Sequence, residues 1–162
     1  MALTPEQLAA LKADIAADPV LSVLPNTLSA ATDIADIYNA LASPEFVVWK
    51  TSVNPDDIMR NGMDWTRVDN LSVGKARIWD WMTKLGTFDA SKPNIRSGID
   101  ASWVGTAQDL AVRAMVYTHC KRAAARIEKL YATGTGTIES PATMTFEGGI
   151  GQGDVYSARN LL

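Results

Sequence analysis

The chain has 162 residues, 47% hydrophobic and 20% charged, with a formal net charge of −3 and a single cysteine. One domain with a packed core fits that length and composition, and wholesale disorder does not. One cysteine excludes an intrachain disulfide, and the mild acidity gives no global drive toward nucleic acid or anionic membrane.

The first predicted helix has strong signals. Thr4 is placed to cap it, Pro5 suits its first position, and Gln7 completes a capping box. Leu8, Leu11 and Ile15 follow at helical spacing, and Asp18-Pro19 ends the segment. Glu6 stands where a secretion signal would carry basic residues, so residence in a reducing cytoplasm is the expectation. The apolar runs are too short and too often broken to span a bilayer.

A second helix is predicted from Thr27 or Ser29, with Ile34, Ile37, Tyr38 and Leu41 on one inward face and Ser43-Pro44 as its stop. Phe46-Val-Val-Trp49 reads either as a short strand or as a buried connector. Asn54-Pro55 opens a short helix through Met59 that closes at Asn61-Gly62. Ser72 caps a further helix carrying Val73, Trp79, Met82 and Leu85 inward, ended by Gly86. Pro93 starts the next, with Ile95, Ile99 and Trp103 four apart.

The longest predicted helix begins at Thr106 and runs to Tyr131. Val112, Met115, Val116, His119, Cys120, Ala123, Ile127 and Leu130 form its inward stripe. Asp109 lies near its start, and Lys121, Arg122, Arg126 and Lys129 fill its last turns, as the helix dipole favours. Such a basic end is either solvated or DNA-facing.

Beyond it the composition changes. Thr133-Gly-Thr-Gly-Thr137 and Gly148-Gly-Ile-Gly-Gln-Gly153 bracket Ala142–Phe146, whose alternation predicts a short strand or hairpin. Asp154 is expected to cap a terminal turn through Arg159. The fold class is therefore mainly α: a helical-bundle body over 1–132 and an extended Gly/Thr-rich arm over 133–162. So few large apolar side chains offset little ordering entropy, so the arm is expected to be mobile until a partner binds it. Met144, Phe146, Val155, Tyr156, Arg159 and Leu162 are its candidate partner contacts.

No constellation points to catalysis. Gly149-x-Gly-x-Gly153 has too little chain after it for a dinucleotide-binding unit. His119 and Cys120 are neighbours on a helix, so their side chains diverge by about 100° and cannot form a nucleophile pair. One histidine and one cysteine are too few for a metal site, and most carboxylates sit at helix starts, where capping explains them. No enzyme activity, metal or cofactor is expected.

The five tryptophans are the most informative residues. Trp79 and Trp81 are two apart and cannot share a helix face. One of them, with Trp103, would fill the core or meet a neighbouring subunit, and tryptophan is enriched at such contacts.

Leu3-Thr-Pro-Glu-Gln-Leu-Ala-Ala-Leu-Lys12, Ala16-Ala-Asp-Pro19, Ile34-Ala-Asp-Ile-Tyr-Asn39 and Val48-Trp-Lys-Thr-Ser52 resemble small head-region proteins of tailed bacteriophages. So do Ala132-Thr-Gly-Thr-Gly-Thr137, Ser140-Pro-Ala-Thr143, Asp154-Val155 and Ala158-Arg-Asn160. Within that group the pattern resembles the head–tail adaptor, or head-completion connector. The resemblance implies a homo-oligomeric ring, usually dodecameric, under the portal protein in the virion, assembled in the host cytoplasm. Such a ring extends the channel through which DNA passes and offers a platform for tail proteins, with the arm reaching along the portal. Capsid decoration, tail termination and a small DNA-binding accessory role are the alternatives.

Overall fold

The computed structural model describes residues 3–84 and 86–161. It is 53% helical and 9% strand, the mainly α class that the periodicity predicts. Its residues fall into two compact units: unit 1 joins the chain up to Val48 to the chain from Ala123 onward, and unit 2 is Trp49–Arg122. The chain crosses between them within β1 (Val47–Trp49) and β2 (Lys121–Ala123).

In unit 1, α1 (Pro5–Ala17) begins as its sequence dictates. The Thr4 hydroxyl accepts from the Gln7 N–H at 3.2 Å, and Gln7 Oε1 accepts from the Thr4 N–H at 2.9 Å. Thr27 caps α2 (Leu28–Asn39), which buries Ala30, Ala31, Ile34, Ala35 and Tyr38. Those alanines let a third helix, α9 (Gln152–Arg159), pack against α2 while also touching α1. Between them in sequence come α8 (Arg126–Leu130) and an antiparallel pair, β3 (Ala132–Thr133) and β4 (Thr143–Met144), with Ala132 opposite Met144. Leu11, Ile15, Ile34, Tyr38, Ile127, Phe146, Ile150 and Val155 share one core. Each large side chain withdrawn from water there contributes about 1.5–3 kcal/mol before entropy is counted.

Three expectations change in unit 1. The stretch expected as an extended arm supplies Phe146, Ile150, Val155 and Ala158 to the core. A body over 1–132 is accordingly not the division seen: residues after 132 pack with the N-terminal helices, and 49–122 forms its own unit. Ile37 and Leu41, expected inward, are 40% and 70% exposed. The buried face of α2 follows Ala31, Ile34, Ala35 and Tyr38, which leaves Ile37 at its margin. Leu41 lies past the extended C-cap at Ala40, where helical spacing no longer applies.

The long helix expected from Thr106 to Tyr131 is interrupted. It ends as α7 (Ala107–His119), turns extended through Lys121–Ala123, and resumes as α8. Tertiary pairing overrides local propensity here. The Cys120 carbonyl accepts from the Lys50 N–H at 2.9 Å within unit 2, and the Ala124 N–H donates to the Phe46 carbonyl at 2.8 Å within unit 1. Glu128 then caps the resumed helix by accepting from the Ala125 N–H at 2.9 Å.

Unit 2 contains α3 (Pro55–Arg60), α4 (Trp65–Asp69), α5 (Val73–Lys84), α6 (Pro93–Ser102) and α7. Its core gathers Ile58, Trp79, Phe88, Ile99, Trp103, Val112, Val116 and Cys120. The Trp79 and Trp103 rings meet edge to face, with centroids 5.3 Å apart at 77°. Asp109 completes the capping box of α7 with Thr106 and also receives the Arg67 guanidinium, at 3.1 Å from Nε and 3.0 Å from Nη2. Burial pushes the Asp109 pKa up, but the Thr106 N–H, the Thr106 hydroxyl and Arg67 together hold it below the usual carboxylate range. Val73, expected inward, is 69% exposed. It precedes the buried Trp79 by six positions, about 240° around the helix. Leu85 lies outside the described residues.

Candidate functional site

The α5 helix carries an outer stripe that its core face does not use. Trp79 and Met82 are buried, so Val73, Arg77 and Trp81, at intervals of four, all face solvent. Trp81 is 69% exposed, and Asp80 beside it pairs with Lys84 at 3.5 Å. On α4, Trp65 is likewise 61% exposed. An exposed indole is rare enough on a monomer surface to mark a place where something docks.

Unit 1 carries a complementary shape: an open groove of about 710 Å³ where α2 ends beside α8. Ile37, Leu41, Ala42 and Leu130 supply its apolar lining, and Arg126 and Lys129 its cations. Arg126 is already engaged, donating to Asp14 at 3.1 Å and Asp18 at 2.9 Å while lying 4.5 Å over the Tyr38 ring. Asp18 is held below the usual carboxylate range, first by the Val20 N–H and then by Arg126. Tyr38 is pushed above its ordinary value by burial and by its hydrogen bond to Asp14. Lys129 Nζ sits 5.6 Å from the Phe46 ring centroid.

The residues singled out from sequence are distributed unevenly over these surfaces. Of the tryptophans expected at a subunit interface, Trp79 and Trp103 lie in the core of unit 2 and only Trp81 is available. The basic quartet is no single helix end. Lys121 and Arg122 are in β2, with Lys121 Nζ 5.5 Å from the Trp49 ring centroid, whereas Arg126 and Lys129 belong to α8 in unit 1.

Among the expected arm contacts, Phe146 and Val155 are core residues, and Met144 packs beside Val48, Ala124 and Ala142. Arg159 donates to the Leu24 and Pro25 carbonyls at 2.7 and 2.9 Å. Tyr156 remains exposed, and Leu162 lies outside the described residues.

His119 Nε2 is 3.3 Å from the Asn61 carbonyl oxygen, and Cys120 is fully buried, its thiol pushed up to about 12 by burial. Among the described residues no three His, Cys, Asp or Glu side chains gather to hold a metal, and no helix is long and apolar enough to cross a membrane.

Sequence reasoning missed the groove, whose walls come from distant segments, and the role of Asn39. The Gly149–Gly153 loop is fastened by that one amide, which accepts from the Ile150 N–H and donates to the Ile150 carbonyl. Gly149 lets the loop come close, since a Cβ there would lie 3.0 Å from Asn39 Oδ1. No family model, curated protein or solved structure matches the chain.

Proposed function

We propose that this chain is a structural subunit of the head–tail junction of a tailed bacteriophage, an adaptor that works by assembly and not by catalysis. The observation that carries this reading is the exposed apolar set on otherwise well-packed units: Trp65, Val73 and Trp81 on unit 2, and Ile37 and Leu41 beside the groove of unit 1. Such side chains are poor at a free surface and productive at a protein contact. The sequence resemblance to phage head-region proteins supplies the setting, a ring between portal and tail. A net charge of −3 suits a channel that DNA must traverse without adhering.

Because Phe146 and Val155 are committed to the core, portal and tail contacts fall to the exposed faces of the helices in this reading. The test is genetic. A phage carrying an amber mutation in the encoding gene should accumulate DNA-filled heads and separate, complete tails in a non-suppressing host. Normal tailed particles under those conditions would sink the proposal.

A further inference from the structure

We infer that Trp81 of one copy of this chain seats in the Ile37/Leu41/Leu130 groove of a second copy. The inference rests on the assembly reading above and names the surfaces that carry it. Three observations converge.

The first is shape. Trp81 projects from the outer face of α5, 69% exposed. The groove of about 710 Å³ is open and apolar along Ile37, Leu41, Ala42 and Leu130. An indole brings about 150–250 Å² of surface, which a groove of that size can cover.

The second is charge. Arg77 lies one turn before Trp81 on the same stripe, and Lys84 about a turn after it. On α2, Asp33 lies one turn before Ile37, and Asp36 stands directly beside it, both exposed. The knob is therefore flanked by cations and the rim of the groove by carboxylates. The two remaining charges match as well: Asp80 beside Trp81 faces a groove that holds Lys129. Complementary charge around an apolar anchor sets orientation and speeds encounter.

The third is the difference between the surfaces. Knob and groove are different residue sets on one chain, so the contact is heterologous. Such contacts propagate from copy to copy, closing into a ring or continuing as a filament according to the rotation between neighbours.

One knob buries less than a standard interface, so free protein should self-associate on the order of 10–100 µM. Sedimentation velocity reads this directly. Wild type should gain mass with concentration across that range. Trp81→Glu retains the groove but loses the knob, and Leu41→Glu retains the knob but loses the groove. Each alone should stay monomeric, with association weakened at least about thirtyfold and its circular dichroism unchanged, since both positions are exposed. An equimolar mixture of the two should form a dimer and nothing larger, because each complex has one competent knob in one competent groove and no free competent pair.

Wild type that remains monomeric throughout, a single variant that assembles like wild type, or a mixture that stays monomeric would each overturn the inference. If either glutamate variant loses its helical spectrum, charge reversal decides the question. Arg77→Glu should weaken assembly, and adding Asp33→Lys with Asp36→Lys should restore it; absence of restoration overturns the contact. These outcomes separate from the junction role, which the amber phenotype decides independently.

Discussion

The side chain of Asn39 binds the backbone of Ile150 in both directions: its Oδ1 accepts from the Ile150 N–H at 2.8 Å, and its Nδ2 donates to the Ile150 carbonyl at 2.9 Å. This clasp joins the end of α2 to the glycine-rich segment that leads into α9. Asn39→Ala would strand both polar groups of a buried residue, at a cost of about 1–3 kcal/mol. Urea denaturation should show that loss. A variant as stable as wild type would mean that solvent replaces the amide freely.

Two glycine substitutions should move stability in opposite directions. Gly136 has φ +68°, and a Cβ there would fall 2.1 Å from Phe46 Cε2, so Gly136→Ala should cost about 2–3 kcal/mol. Gly153 lies in α9 with nothing within 4 Å of an added Cβ, so Gly153→Ala should raise stability by about 0.5–1 kcal/mol. Thermal melts of the pair test both, and shifts of the same sign would contradict the packing described for this segment.

The depressed pKa of Asp109 gives a pH signature. A carboxylate whose folded value lies below its unfolded value of about 3.9 contributes stability above that pH and loses it as pH falls through the folded value. Asp109→Asn should therefore lower Tm at neutral pH by a margin that narrows below about pH 4. A margin that is constant or growing down to about pH 3 would show that the charge on Asp109 is not what the Arg67 contact uses.

Cys120 is buried, with its thiol pushed up to about 12. Native protein should leave a thiol-reactive disulfide unreacted near pH 8, and unfolded protein should consume one equivalent. Its raised folded value also means that its share of stability is complete below the unfolded thiol's value of about 8.5 and is lost as pH rises beyond it. Cys120→Ser should cost about 1–3 kcal/mol by placing a hydroxyl in that core. Rapid labelling of native protein would contradict the burial.

What the sequence made legible was local. Thr4, Pro5 and Gln7 specify the start of α1 by their own side chains, and Asn54 and Thr106 do the same for α3 and α7. Trp79 and Trp81 were bound to take opposite faces; that Trp79 is the inner one follows from Trp103, which a reading of α5 alone does not contain. The break after His119 was hidden because Cys-Lys-Arg-Ala-Ala-Ala is good helix sequence. Its extended path is fixed by the Phe46 carbonyl and the Lys50 N–H, far away along the chain. The five-residue α4 is too short to show periodicity, although Asp64, which accepts from the Thr66 and Arg67 N–H groups at 3.0 and 3.2 Å, marked its start. The groove takes one wall from α2 and the other from α8, so no single stretch announces it.

Unit 1 is built from the two sides of an interruption, and that has a consequence for a chain made from one end. As α1 and α2 leave the ribosome, the surfaces around Leu11, Ile34 and Tyr38 have no counterpart yet, because Val155 and Ala158 are synthesised much later. Unit 2 is contiguous and can close while it is being made. Unit 1 must instead keep its early helices waiting for the last one, with a long loop to close. A nascent chain that stalls before α9 thus carries an unfinished apolar face for the quality-control machinery to find, and only a chain translated through α9 hides it.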